Sequence, residues 1–287
     1  WRLPAPPGWR WNDGVPLEGR RVAVIGTGAS AIQVVPEVAK IAGHLAVFQR
    51  TPPWVIFKPD FRISPKRQQA RRRQPWRQRI NRWFTYAWHE SWAVGFTRVP
   101  LLLKGVQQLV RLYLAWQVPD KPLRRRLLPR YVIGCKRVLL SNDYYPALAR
   151  ANVSLITDPI SRINANGIVT ADGVEHRFDA IIACTGFNAA EAGAPFPITG
   201  LDDRGLDETW REGANAYLGT TVSGFPNLFI MTGPNTALGH NSMIYMIESQ
   251  ARYVMDALVQ LAQRPSQALD VQADVQRRYN LALQQRL

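Results

Sequence analysis

The stretch Arg21-Val-Ala-Val-Ile-Gly26-Thr-Gly28-Ala-Ser-Ala31 decides the fold. Its first five residues have a β-branched apolar centre, the composition of a strand buried on both faces as in a parallel sheet. Gly26 and Gly28 break that strand at once, and a helix is predicted from about Ser30 to Ile41. Leu45-Ala-Val-Phe-Gln49 predicts a second strand, so the order is strand, Gly-rich turn, helix, strand, a βαβ unit. The pattern Gly26-x-Gly28-x-x-Ala31 has a mechanical rationale. The first Gly permits a tight turn, the second lets a pyrophosphate approach the backbone, and the small third residue lets helix and strand pack closely. The helix N-terminus then faces the anion. An ordinary Gly turn that packs a helix is the plain alternative.

Outward from this unit, Pro52-Pro53 ends the first βαβ segment. Residues 65–129 are helical in pattern and rich in Arg, Trp and Leu, too long for a connection, and so predict an inserted helical subdomain. Strands are expected at Val153–Ile156, Gly167–Thr170 and Phe178–Ala183 as the βαβ sheet resumes, with hairpin-type turns at Asn164–Gly167 and Ala171–Gly173. A Gly/Pro/Asp-rich region leads to a buried-strand candidate, Leu228–Met231, which stops at Gly233-Pro234. From Asn241 to about Leu261, the apolar positions Met243, Ile247, Ala251, Val254, Leu258 and Leu261 have the spacing of an amphipathic helix.

Composition bounds the rest. The 287 residues are 46% hydrophobic, enough to bury a core in one large domain or two smaller ones. Net charge is +15, but Phe61 to Arg137 holds 19 basic and two acidic residues, leaving 17 basic and 19 acidic elsewhere. The basicity therefore belongs to one segment. Cys135 and Cys184 are far apart without metal-ligand spacing, so no metal site or disulfide framework is indicated and a reducing cytoplasm is the expectation. The most apolar stretch, Leu101 to Val118, is interrupted by Lys104 and Arg111, which argues against a membrane span. The Pro/Trp-rich start at Trp1 reads as a cut edge.

The second strand ends Gln49-Arg50-Thr51, where an acidic residue would read the ribose 2′-hydroxyl of NAD. An Arg suits a 2′-phosphate, which favours NADP(H), unless Arg50 is simply a solvated surface charge. Several blocks now stand in order: Gly26-Thr27-Gly28-Ala29-Ser30-Ala31, Gln49-Arg-Thr-Pro52 with Trp54, and Gly134-Cys-Lys-Arg137 with Asp143-Tyr-Tyr-Pro146. Ala183-Cys-Thr-Gly-Phe187, Phe225-Pro-Asn-Leu-Phe229 and Gly233-Pro234 follow. In order and spacing these resemble the class B flavoprotein monooxygenases, specifically the Baeyer–Villiger monooxygenases, over about Leu17 to the C-terminus.

The resemblance implies roles. Gly26, Thr27, Gly28, Ala29, Ser30 and Ala31 would form the NADPH pyrophosphate turn, and Arg50, Thr51 and Lys136 would hold the 2′-phosphate. Arg137 matches the active-site arginine that stabilises a C4a-peroxyflavin and helps place the nicotinamide, a task that suits a permanently charged planar fork. Thr185 and Gly186 match the fingerprint joining the NADPH and FAD domains. Gly233, Pro234 and Asn241, with His240, match the closing segment that points a helix N-terminus at the flavin. The implied fold class is α/β: a doubly wound Rossmann-like NADP(H)-binding domain (20–60 and 131–187) with a helical insert (61–130), plus part of an FAD-binding domain (188–287), after a linker (1–19). The implied reaction uses NADPH, FAD and O₂ to turn a ketone or aldehyde into an ester or lactone.

The chain departs from that pattern in three places. It has no first Gly-x-Gly-x-x-Gly unit for FAD, no Phe/Gly/His/Trp fingerprint before the NADPH motif, although Trp11 stands where that Trp could fall, and no Trp/Tyr-containing C-terminal segment, so a fragment lacking the N-terminal FAD-binding unit is expected. Three rivals stand beside the main reading. One is a flavin monooxygenase acting on nitrogen or sulfur, and another a catalytically silent NADP(H)-binding fragment. The third is a nucleic-acid binder using the insert, where Lys66, Arg67, Arg71–Arg73, Arg77, Arg79 and Arg82 interleave with Trp76, Trp83, Trp88 and Trp92. The favoured reading of the insert makes those cations its solvated face and the Trp residues its core, with no specific nucleic-acid partner. Leu101–Val118 is expected to be a buried core helix in preference to one lying on a membrane surface.

Overall fold

The structure, a computed structural model, describes residues 12, 14–97, 100–186, 196–237, 241–264 and 267–286, with side chains placed for all of these except 92–97 and 100–102. It divides into two compact units, residues 1–188 and 189–287. Trp11 and the Trp92 side chain lie outside the described residues.

In the first unit, β1 (Arg21–Ile25), α1 (Ala31–Ile41) and β2 (His44–Phe48) form the expected βαβ unit. With β5 (Val153–Ile156) and β9 (Ala180–Ala183) they build a wholly parallel four-stranded sheet in the order β5-β2-β1-β9. Side-chain alternation gives each face its own core. Val22, Val24, Leu45 and Val47 meet the buried face of α1 (Ala31, Val35, Val38, Ala39), with Tyr144 and Leu148 of α6 (Tyr144–Leu148) beside them. Ala23, Ala46 and Phe48 point the other way, onto Ile168 and the flanking Phe178.

Ile168 belongs to a second sheet. The expected turns exist, but β6 (Ile160–Asn164), β7 (Gly167–Thr170) and β8 (Glu175–Arg177) pair antiparallel with one another and do not join the parallel sheet. Expecting one continuous sheet there was wrong. Hairpin turns pair neighbours antiparallel, whereas a parallel strand needs a long crossover.

Between β2 and β5 the chain makes the helices α2 (Pro65–Arg73), α3 (Pro75–Thr97), α4 (Pro100–Gln117) and α5 (Lys121–Leu127). Asp120 caps α5 by accepting from Leu123 N–H at 2.9 Å. The insert is closed at its base by two short parallel strands, β3 (Val55–Ile56) and β4 (Leu139–Leu140). α4 meets the expected buried core helix on one face only: Leu103, Val110 and Leu114 are buried, while Leu109, Leu112 and Trp116 are exposed, and Arg124 donates back to the carbonyls of Ala115 and Val118 at its end. The Trp residues of α3 do not form the core of the insert. Trp76, Trp83 and Trp88 are all more than half exposed, and α2 buries no residue at all.

The second unit holds α7 (Leu206–Thr209), α8 (Met243–Gln263) and α9 (Ala273–Gln284). Its core is Leu206, Ala216, Val222 and Phe225, flanked by Trp210, Leu228 and Ile230. Leu228–Met231 is not a strand. Its Leu228 N–H turns back to Phe225 O at 3.2 Å and its Ile230 N–H donates to Thr220 O at 2.7 Å, whereas a ladder requires a neighbour along its whole length. Helix α8 begins at Met243, two residues after the expected Asn241, because Ser242 is its cap and accepts from Ile244 N–H.

Candidate dinucleotide-binding site

Because β1, β2 and β9 are parallel neighbours, their C-terminal ends open on one edge of the sheet. The turn after β1 is held to both neighbours: Gly26 N–H donates to Phe48 O at 3.0 Å, and Cys184 N–H donates to Ile25 O at 2.8 Å. Gly26 has φ +110°, and a Cβ there would lie 2.3 Å from the Cys184 carbonyl oxygen. Only glycine fits that close approach. At Gly28 an added Cβ would meet nothing within 4 Å, so that side of the turn is open. Thr27 Oγ1 donates to Thr51 O at 3.0 Å, which ties the turn to the segment after β2. Ser30 makes no side-chain cap and α1 has no acidic residue in its first turn; the Ile32, Gln33 and Val34 N–H groups donate to the carbonyls of Gly28 and Ser30, so what the turn offers an anion is the positive end of the helix dipole.

Arg50 lies two residues beyond the end of β2 and is exposed, so the 2′-phosphate reading and the solvated-charge reading are both compatible with its place. Its neighbour Gln49 is buried, and its Nε2 donates to Arg126 O at 2.8 Å, fixing the end of α5 over the strand end. Sequence reasoning quoted Gln49 without giving it work. A polar side chain continuing a run of buried apolar ones was the available signal.

Lys136 and Arg137 lie more than 80 residues away in sequence, yet the fold brings their loop to the segment carrying Arg50 and Thr51. Trp54 is buried and its Nε1–H donates to Tyr131 O at 2.9 Å, while the Tyr131 hydroxyl donates to Pro52 O at 3.2 Å. The two rings meet edge to face with centroids 6.5 Å apart. Just beyond, Leu139 N–H donates to Trp54 O as β4 pairs with β3. Lys136 Nζ sits 5.1 Å above the Tyr131 ring. Arg137 is exposed, and among the described residues it makes no hydrogen bond or ion pair.

Thr185 and Gly186, with Gly186 at φ +96°, continue from β9 on the same edge. Burial pushes the Cys184 thiol above its ordinary pKa, which makes it a poor nucleophile. Phe187 and His240 lie outside the described residues.

Gly233, Pro234 and Asn241 belong to the second unit. A Cβ on Gly233 would lie 2.4 Å from Gly219 O, so two backbone segments cross there. Buried Gln250 of α8 fastens the crossing: its Nε2 donates to Gly219 O and Thr220 Oγ1, both at 3.0 Å, and its Oε1 accepts from Thr232 N–H at 2.9 Å. The signal for Gln250 was a glutamine between Ile247 and Val254 on the apolar stripe, and it was missed. Asn241 Oδ1 accepts from Ser242 N–H at 2.7 Å, leading into α8.

No family model matches the chain. It is 49% identical over 281 residues to a Baeyer–Villiger monooxygenase of Pseudomonas aeruginosa, covering 97% of this chain and 53% of that protein. The chain belongs to the Baeyer–Villiger monooxygenase family. A second Baeyer–Villiger monooxygenase, from Streptomyces coelicolor, is 41% identical over 97% of this chain and 54% of its own length. Among solved structures, OTEMO in complex with FAD and NADP superposes with a TM-score of 0.82 at 26% identity, over 96% of this chain and 60% of that one. This member of the family thus spans about half the length of the curated relatives it matches. Its Rossmann-like α/β architecture agrees with theirs.

Proposed function

We propose that this Baeyer–Villiger family chain binds NADP(H) on the edge where β1, β2 and β9 end, and serves an NADPH- and FAD-dependent oxygenation of ketones or aldehydes to esters or lactones. The observation that carries the reading is the fixed turn at Gly26: a glycine that nothing else can replace, an open side at Gly28, a helix N-terminus without side-chain cap or acid, and the loop of Lys136 stapled to the Pro52–Trp54 segment that follows Arg50. A pyrophosphate fits that donor set, and two flanking cations fit a 2′-phosphate. Thr27 and Gln49 hold the turn and the strand end in register, so the nucleotide meets a preformed surface.

FAD, when bound, supplies the electron transfer to oxygen and the oxygen-transfer chemistry. For this group the chain offers the Gly233–Pro234 crossing and the first turn of α8, which carries no acidic residue to oppose negative charge. In this reading residues 20–60 and 131–187 are the nicotinamide-nucleotide domain, 61–130 its helical insert, and 188–287 a contribution to the flavin domain. Arg137, which spends its guanidinium on no described neighbour, supplies a permanent cation to developing negative charge on the reacting oxygen and orients the nicotinamide.

The test is a calorimetric titration of the purified chain with NADP⁺ and with NAD⁺, repeated on Arg50→Ala and Lys136→Ala. NADP⁺ is expected to bind at least tenfold tighter than NAD⁺, each variant losing most of that preference while keeping NAD⁺ affinity. Equal affinities in the unaltered chain would remove the 2′-phosphate assignment. No binding of either nucleotide to folded protein would remove the site.

A further inference from the structure

Helix α3 carries a surface that the dinucleotide site does not use. At 3.6 residues per turn, Trp76, Ile80, Trp83, Phe84 and Ala87 fall within one arc of about 100°, an unbroken apolar stripe. The stripe faces outward: Trp76 is 55% exposed, Ile80 48%, Trp83 62% and Phe84 61%. The opposite face is polar and satisfied within the helix, Thr85 Oγ1 donating to Asn81 O and His89 Nδ1 lying 2.7 Å from Thr85 O. An isolated exposed Trp needs no explanation, but four large apolar side chains in a row on one helix face mark a contact surface.

The charge around the stripe says what it contacts. Between Phe61 and His89 there are nine Lys and Arg residues and no carboxylate. Arg77 and Arg79 border the stripe on either side without interrupting it, the Arg77 guanidinium lying 5.4 Å from the centroid of the Trp76 ring. Arg71, Arg72 and Arg73 end α2 one residue before α3 begins. An interfacial helix has this arrangement: rings and an aliphatic side chain for the acyl boundary, with cations at the rim for lipid phosphates. A single-strand nucleic-acid platform stacks bases on separate rings in a cationic groove. Here Ile80 and Ala87 fill the stripe between the rings, and Trp83 meets Phe84 edge to face at 5.2 Å, which leaves that pair poorly arranged for base stacking. No helix among the described residues is long and apolar enough to cross a membrane, so the contact is peripheral.

We infer that the Trp76–Ile80–Trp83–Phe84 stripe of α3, with the arginines of α2 and α3 around it, docks this protein on anionic phospholipid bilayers. This reverses the expectation that the Trp residues are the core of the insert, and it places the membrane contact on α3; α4 buries Leu103, Val110 and Leu114 on one face and exposes Leu109, Leu112 and Trp116 on the other, with Lys104 and Arg111 as the cations between Leu101 and Val118 against nine between Phe61 and His89.

The experiment is sedimentation of the chain with phosphatidylcholine vesicles that contain either no phosphatidylglycerol or 30% of it, at 50 and 500 mM salt. Partitioning is expected only into the anionic vesicles, weakening with salt. Trp83→Ser with Phe84→Ser leaves the charge unchanged and should lower the partition coefficient at least tenfold. Arg71→Gln with Arg72→Gln and Arg73→Gln should lower it at low salt by about fivefold for each cation that reaches the surface. All these positions are exposed or half-exposed, and circular dichroism with NADP⁺ affinity checks that the variants remain folded. The inference is overturned if neither vesicle binds, or if the Ser pair partitions like the unaltered chain. It is equally overturned if a DNA or RNA oligonucleotide competes the protein off the vesicles, or if the Ser pair abolishes a self-association that occurs without vesicles.

Discussion

At Gly26 a methyl group would land 2.3 Å from the Cys184 carbonyl oxygen on a backbone whose φ of +110° already disfavours any side chain. Both costs fall on the same residue, and neither neighbour can retreat, because Cys184 N–H is bonded to β1 and Gly26 N–H to Phe48 O. Gly26→Ala is therefore expected to destabilise the chain by about 2 kcal/mol or more in urea unfolding and to abolish NADP⁺ binding. A variant as stable as the parent would show that the turn is looser than its contacts imply. His44, at the start of β2, is a second residue whose environment fixes a measurable outcome. Burial, and then the nearby Arg21 charge, lower its pKa below the ordinary 6.5. Among the described residues its Nδ1 has no hydrogen-bond partner, and its Nε2 lies 3.2 Å from Ser154 Oγ. The folded chain thus holds a neutral imidazole more firmly than the unfolded chain does. Stability is whole above pH 6.5 and falls as pH drops below it toward the folded-state value, because the unfolded state then binds more protons. His44→Gln should flatten melting temperature against pH between about 5 and 7. An unchanged slope would assign the acid sensitivity to other groups.

Among the elements, the staple between the segment after β2 and the loop before β4 has the largest consequence for the site. Trp54 fills the base of the insert and its indole N–H satisfies Tyr131 O. Trp54→Phe keeps an aromatic ring but orphans that carbonyl and leaves a gap, at a cost of about 1–3 kcal/mol. Because the loop of Lys136 hangs from Tyr131, the same substitution should weaken NADP⁺ more than NAD⁺ without touching either ligand. If both affinities fell equally, the staple would be purely structural. The sequence made the local half of this geometry legible. The Gly26 turn, α1 and the parallel strands β1 and β2 follow from periodicity and turn chemistry, which act over a few residues. The distant half was not legible from periodicity. Nothing local links Trp54 to Tyr131 or Gln49 to Arg126, and only the family pattern placed Gln49-Arg-Thr-Pro52 and Gly134-Cys-Lys-Arg137 in one protein. The failures have the same origin. Leu228–Met231 has the composition of a strand but no neighbour to pair with, and Trp76, Trp83 and Trp88 have the hydrophobicity of core residues without a partner surface. Hydrophobicity says that a side chain favours leaving water, not what will cover it.

Across the whole molecule, charge is divided as sharply as the fold. Residues 61–137 carry 19 basic against two acidic residues while the remainder is nearly balanced, so the insert repels itself wherever salt does not screen it. A local effect opposes this. Arg71, Arg72 and Arg73 occupy the last turn of α2, where cations favour the helix dipole, and removing them weakens that helix. The two effects are separable because α2 buries no side chain, so its fraying exposes almost no apolar surface and is nearly silent in the global transition. The global transition reads the longer-range repulsion. Melting temperature should therefore rise between 20 and 300 mM salt, by about 2–4 °C for each kcal/mol of repulsion screened. Arg71→Gln with Arg72→Gln and Arg73→Gln should raise it at 20 mM and make the salt dependence shallower, even as helical signal from α2 falls. A melting temperature that is flat or falls with salt would mean that the insert's cations are already compensated, and the anionic surface proposed for α3 would then lose its electrostatic argument while its apolar one still stood.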